Sequence, residues 1–114
     1  GDNIAPVRPE ASLTFQDIVL QAMVYGDRRP YLVALIVVDP EISKNISEEE
    51  LNNEVSNAVK KANENLSQIE KIKKYIIADE PLSTDNGMLT PTMKIRRHMV
   101  NEVYGEQLNN LYKK

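Results

Sequence analysis

Between Asn86 and Val100 the sequence reads NGMLTPTMKIRRHMV, which places Lys94, Arg96, Arg97 and His98 directly behind a Thr-Pro-Thr turn. Ammonium and guanidinium groups beside a helix start make a receptor for phosphate or carboxylate, because main-chain N–H groups and positive side chains face the same anion. Thr90 suits an N-cap and Pro91 the first helical position, which puts Lys94, Arg96 and Arg97 in the first two turns. Each cation there opposes the helix dipole at a cost of about 0.3–1 kcal/mol. Charge tolerated against that gradient points to a task, such as delivering a point charge to a reacting centre. The same residues also fit a solvated face paired with acids such as Glu102. Spacing alone does not rank Lys94 above Arg96 or Arg97.

Little else in the chain can do chemistry unaided. The 114 residues contain no cysteine and one histidine, His98, so thiolate catalysis and zinc-thiolate sites are excluded and a histidine metal cluster or a Ser-His-Asp triad has no components. A net charge of −3 with 5% aromatic residues argues against a nucleic-acid platform, which needs a basic face and stacking rings. The longest apolar run, YLVALIVV, is far shorter than the roughly 20 residues of a membrane-spanning helix. No basic-then-apolar leader opens the sequence, so a cytoplasmic location is the expectation, with peripheral membrane contact open for a longer parent chain. With 41% hydrophobic and 27% charged residues, the composition fits one domain with one core, either a small binding module or part of something larger.

The elements that would carry the basic cluster follow from periodicity. GDNIAPVRPE reads as an extended loop cut from a longer chain, and ASLTFQDIVLQ as one short helical segment. Two apolar, β-branched runs, Gln21 to Tyr25 and Tyr31 to Asp39, flank Gly26-Asp27-Arg28-Arg29-Pro30 and predict a hairpin that ends at Pro40. Gly26 is read as serving the turn. Leu32 to Val38 is continuously apolar, the mark of a central strand covered on both faces. Ser47 and Glu50 form a capping-box pair ahead of a helix whose stripe is Leu51, Val55, Ala58, Val59, Ala62 and Leu66. Ile72 to Asp79 predicts a third strand, reached by a crossover that buries this stripe on the sheet. Ser83 to Thr92 is a loop with Asn86-Gly87 at its tip. A second amphipathic helix carries Ile95, Met99, Val100 and Val103, is interrupted at Gly105, and is followed by a last turn or two with Tyr104, Leu108, Leu111 and Tyr112. The fold class is α+β: a small sheet, a hairpin plus a third strand, packed with two to three helices.

NGMLTPTMKIRR resembles the C-terminal lysine motif of AMP-forming acyl-CoA synthetases, the adenylating superfamily that includes luciferases and peptide-synthetase adenylation domains. Most members carry a pattern similar to P-x-T-x-x-G-K-I-x-R. The long-chain fatty-acid branch instead has N-G-x-L-T-P-T-x-K-hydrophobic-x-R, as here, and Met93 stands where the superfamily has Gly. GDNIAPVRPE is similar to the G-x-N-I-A-P-x-x-x-E segment just past the hinge of those enzymes, with Pro9 in place of the preferred Ile and Asp2 where Gly or Lys is common. The QAMVYGDRRPYLVALIVVD hairpin matches as well, so the resemblance spans residues 1–114 in order.

This resemblance implies the lid domain of adenylate-forming enzymes, here the C-terminal domain of a long-chain fatty acid–CoA ligase. Its partner would be its own N-terminal adenylation domain, which lies outside these residues. The full-length enzyme would use ATP, Mg²⁺ and CoA, with none of them bound by this domain alone and no metal site in it. Lys94 matches the lysine that stabilises the transition state as a fatty carboxylate attacks the α-phosphate of ATP. Gly1, Asn3, Ile4 and Pro6 match the segment that lines the CoA channel after the lid rotates for thioester formation. Arg96 and Arg97 match basic positions whose contacts are an anion or another domain, with structural pairing ranked first. His98 is read as a surface residue. The competing readings are a non-catalytic anion-binding or protein-interaction module, and oligomerisation through a bare sheet edge.

Overall fold

The computed structural model describes residues 6–26 and 29–113 and is organised by a three-stranded sheet of β1 (Val19–Tyr25), β2 (Leu32–Val38) and β3 (Ile72–Ile77). Strand β2 lies in the middle, antiparallel to β1 and parallel to β3. Its side chains alternate between two separate cores, which explains the unbroken apolar run. Leu32, Ala34 and Ile36 enter one core, whereas Val33, Leu35 and Val37 enter the other, and all six are buried.

The first core is closed by α1 (Val7–Thr14) and α3 (Glu48–Glu64), which contribute Leu13 and the buried stripe Val55, Ala58, Val59 and Ala62. The second is closed by α4 (Arg97–Asn110), through Val100, Tyr104 and Leu108, together with Leu82, Met88 and Leu89 from the long loop. A single turn, α2 (Pro40–Ser43), follows β2; Asp39 caps it and Pro40 occupies its first position. Ser47 caps α3 by accepting the Glu50 N–H at 3.1 Å. The reciprocal capping box forms one helix later, where Ser67 and Glu70 bracket a 3₁₀ turn over Gln68–Glu70.

Three expectations need correction. Residues 7–10 were expected to be extended, yet α1 begins at Val7 with Pro6 as its N-cap, and Pro9 is buried within it. Proline in a first turn removes only an N–H that has no intrahelical acceptor, and its fixed φ is already helical. The segment Ala11 to Gln21 is half helix: α1 ends at Thr14, a turn follows, and β1 starts at Val19 with a bulge between Val19 and Gln21. Gly105 does not interrupt the last helix. It is buried inside α4, where one glycine costs only about 1 kcal/mol. Among the described residues the α-helices are four, the addition to the expected two to three being the single turn α2.

Gly26 is required for space, since a Cβ there would lie 2.5 Å from Leu32 Cδ2 and 3.1 Å from the Tyr31 carbonyl oxygen. Side-chain amides finish the ladder where strands end. Gln21 pairs with both main-chain groups of Leu82 at 3.0 and 2.8 Å, and Asn63 does the same for Ile72 at 2.9 and 2.8 Å.

Candidate functional site

The basic cluster is divided between a two-stranded loop, which carries Lys94 and Arg96, and the first residues of α4, Arg97 and His98. Asn86 organises the base of the loop. Its Oδ1 accepts the N–H groups of Ser83 and Met88 at 3.0 and 3.1 Å, and its Nδ2 donates to the Pro81 carbonyl at 2.9 Å and to Glu80 at 3.1 Å. Gly87 follows at φ +80°, a left-handed conformation that suits glycine. Met88 to Thr90 then runs antiparallel to Lys94 to Arg96: Leu89 and Ile95 are bridged, the Arg96 N–H donates to the Met88 carbonyl at 2.8 Å, and the Thr90 N–H donates to the Lys94 carbonyl at 2.8 Å. The buried Met88 and Leu89 anchor this hairpin in the second core.

The tip, Thr90 to Lys94, corrects the expected helix start. Thr90 Oγ1 does accept a main-chain N–H, but that of Lys94 at 3.0 Å, and the bond closes a turn. Met93 adopts φ +68°, which ends the right-handed turn begun at Pro91 and sends the chain back along the hairpin. Helix α4 starts only at Arg97, with Arg96 as its N-cap and no side-chain cap. The crowding of cations against a dipole is thereby reduced to Arg97.

Lys94 is exposed at this tip, and its Nζ makes no hydrogen bond or ion pair with any described residue. Arg96, half-buried, donates to the Gly87 carbonyl at 3.2 Å. Arg97 turns away from the tip and grips Glu10 with a bidentate fork at 2.7 and 2.8 Å. Its partner is therefore Glu10 of α1, where Glu102 had been the candidate. His98 is exposed. Pro6 caps α1, whereas Gly1, Asn3 and Ile4 lie outside the described residues. Asn86-Gly87 was expected at the loop tip and instead shapes its base, and the sequence offered no signal for Glu10 as the partner of Arg97, since 87 residues separate that pair.

The three cations therefore divide by role. Two are tied into the fold and one projects into solvent. Among the described residues no three His, Asp or Glu side chains are grouped as a metal site requires. A groove of about 520 Å³ lies beside α4, lined by Tyr25, Asn101, Glu106, Asn109 and Lys113 among others, and Lys94 is not part of it. Nor does Lys94 line the grooves beside Glu80 and Asp85 or beside Phe15 and Leu66.

Residues 1–114 match the family model described as AMP-binding enzyme C-terminal domain, and the chain belongs to that family. It is 33% identical to a long-chain-fatty-acid–CoA ligase of Mycobacterium tuberculosis, with 100% of this chain covering 22% of that protein. It is 35% identical to a chloroplastic long-chain-fatty-acid–[acyl-carrier-protein] ligase of Arabidopsis thaliana, over 98% of this chain and 16% of that one. The adenylation domain of a carboxylate reductase from Mycobacterium chelonae superimposes with a TM-score of 0.89 at 28% identity, covering 100% of this chain and 18% of that one. The adenylation domain of the Segniliparus rugosus carboxylic acid reductase, solved with AMP and a co-purified carboxylic acid, gives 0.83 at 32%, over 98% and 18%. The α+β architecture is that of the C-terminal domain of adenylate-forming enzymes, and the chain spans about a fifth of the length of the relatives it matches. No helix among the described residues is long and apolar enough to cross a membrane.

Proposed function

We propose that this chain is the mobile C-terminal lid of an AMP-forming ligase that activates long-chain fatty acids, and that Lys94 is its catalytic residue for adenylation. In that step a fatty carboxylate oxygen attacks the α-phosphorus of ATP, the bond to the bridging oxygen breaks, and pyrophosphate leaves. Two anions must approach while charge moves onto the phosphate oxygens. An ammonium aimed between them offsets the repulsion, and more so as the charge builds. The observation that carries this reading is the position of Lys94: exposed, without a partner among the described residues, at the tip of a hairpin braced by three main-chain hydrogen bonds, one bond to the Thr90 hydroxyl and two buried side chains. A lysine so placed can be inserted into a site enclosed by another domain and withdrawn intact.

The remaining roles follow from this one. Gly1, Asn3, Ile4 and Pro6, which precede α1, would line the pantetheine channel when the lid presents its other face to CoA. Arg96 and Arg97 act within the domain, as their bonds to the Gly87 carbonyl and to Glu10 favour. Mg²⁺, most nucleotide contacts and the acyl tunnel belong to the larger domain. The test uses the full-length enzyme. Lys94→Ala should lower fatty-acid-dependent ATP–pyrophosphate exchange by several orders of magnitude while sparing thioester formation from supplied acyl-adenylate. Equal loss in both half-reactions would remove the assigned role.

A second reading concerns the acceptor. The 35% identity to a long-chain-fatty-acid–[acyl-carrier-protein] ligase supports a thiol borne on a carrier protein as the alternative to free CoA. Both share the first half-reaction and Lys94. AMP release measured with free CoA against a phosphopantetheinylated carrier separates them.

A further inference from the structure

The Glu10 carboxylate, 14% exposed, takes three donors from two elements: Arg97 Nη1 at 2.8 Å, Arg97 Nη2 at 2.7 Å and the Val24 N–H of β1 at 2.7 Å. Arg97 Nη1 also reaches the Val24 carbonyl at 3.5 Å. One ion pair thus clasps α1, β1 and the first residue of α4. A second feature makes the clasp necessary. The first turn of α4 has no acidic residue and no side-chain cap, and it opens with a cation. Glu10 supplies from another helix the negative charge that this terminus lacks. Arg97 lies three residues beyond Lys94, and between them Arg96 is held by Met88 and Gly87. The direction in which the Lys94 hairpin leaves the domain is therefore set where α4 begins.

We infer that Glu10 and Arg97 are a positioning pair for Lys94, an inference that rests on the adenylation role proposed above. Neither residue touches substrate. A bidentate fork fixes an angle as well as a distance, which a single hydrogen bond or a lysine at position 97 does not. Displacing a reacting group by about 1 Å costs on the order of 100-fold in rate, so a small rotation of the α4 start is enough to be read in catalysis.

The test is a set of variants in the full-length enzyme. Glu10→Gln keeps an acceptor for the Val24 N–H and removes only the charge; Arg97→Gln removes the fork; Arg97→Lys keeps the charge alone. Both Gln variants should lower kcat for ATP–pyrophosphate exchange about 10–100-fold with KM for ATP held within about two-fold, and Arg97→Lys should fall between. Thioester formation from supplied acyl-adenylate should stay within about two-fold, which a general loss of structure would not permit. The double Gln variant should match the single ones, and Arg97→Gln added to Lys94→Ala should cost nothing further. Equal loss in both half-reactions, or a loss that multiplies with Lys94→Ala, overturns the pair's role. Lys94→Ala alone leaves Glu10 and Arg97 intact, so if that variant spares exchange, the adenylation reading has failed on its own arm and the positioning role falls with it.

Discussion

Removing the Tyr112 hydroxyl should weaken the domain by an amount that depends on pH. Tyr112 follows α4, and its hydroxyl lies 2.8 Å from the Tyr31 carbonyl and 3.2 Å from that of Tyr25, one on each side of the hairpin connection. Its ring stacks at 4.9 Å on Tyr31, and the Arg29 guanidinium covers it at 4.9 Å. Tyr112→Phe keeps the stacking and deletes only the donor, at about 1 kcal/mol near neutrality and a fall in Tm of roughly 4 °C for a domain of this size. Burial pushes the Tyr112 phenol up from 10 to about 12, partly opposed by Arg29. A raised folded-state pKa gives stability that is complete below pH 10 and is lost as pH climbs toward 12. Two units at about 1.4 kcal/mol each set an upper bound, and the half-exposed ring reduces this to roughly 1 kcal/mol. Urea unfolding of both proteins at pH 8, 10, 11 and 12 checks this, because the difference between them isolates what the Tyr112 hydroxyl contributes. The gap between wild type and variant should close across that window. A gap that stays constant, or widens, would refute the reasoning.

Two further substitutions probe the loop that bears Lys94. Asn86→Ala deletes four hydrogen bonds that shape its base and should cost about 2–4 kcal/mol by chemical denaturation; a loss under 0.5 kcal/mol would mean that Gly87 and the buried Met88 suffice. Met93→Gly relieves a left-handed backbone at about 1–2 kcal/mol but restores chain entropy of about 0.5–1 kcal/mol to the unfolded state, so a net gain of about 0.5–1 kcal/mol is expected, read as a higher urea midpoint at unchanged m.

Strand order, the burial of Leu32 to Val38 on both faces and the α3 stripe were legible in the sequence because each depends on local periodicity. The start of α4 was not. Thr90-Pro91 is a sound helix opening in isolation, and what defeats it is the pairing of Leu89 with Ile95, a contact whose strength comes from Met88 and Leu89 reaching the second core. The α1 start failed for the opposite reason, since Pro6 and Pro9 were read as part of an extended loop although Pro6 is the N-cap and Pro9 lies in the first turn. Within the candidate site, Lys94 was singled out through its motif, whereas the roles of Arg97 and Asn86 depend on partners that only the folded chain supplies.

The Glu10 clasp has a consequence unrelated to rate. Val24 belongs to the outermost strand on its side of the sheet, and the ion pair occupies its outward N–H and reaches its carbonyl, leaving a foreign strand nothing to zip onto there. On the opposite border the exposed Lys73 and Lys74 discourage the same approach. At these two points the sheet does not invite a foreign strand to pair with it.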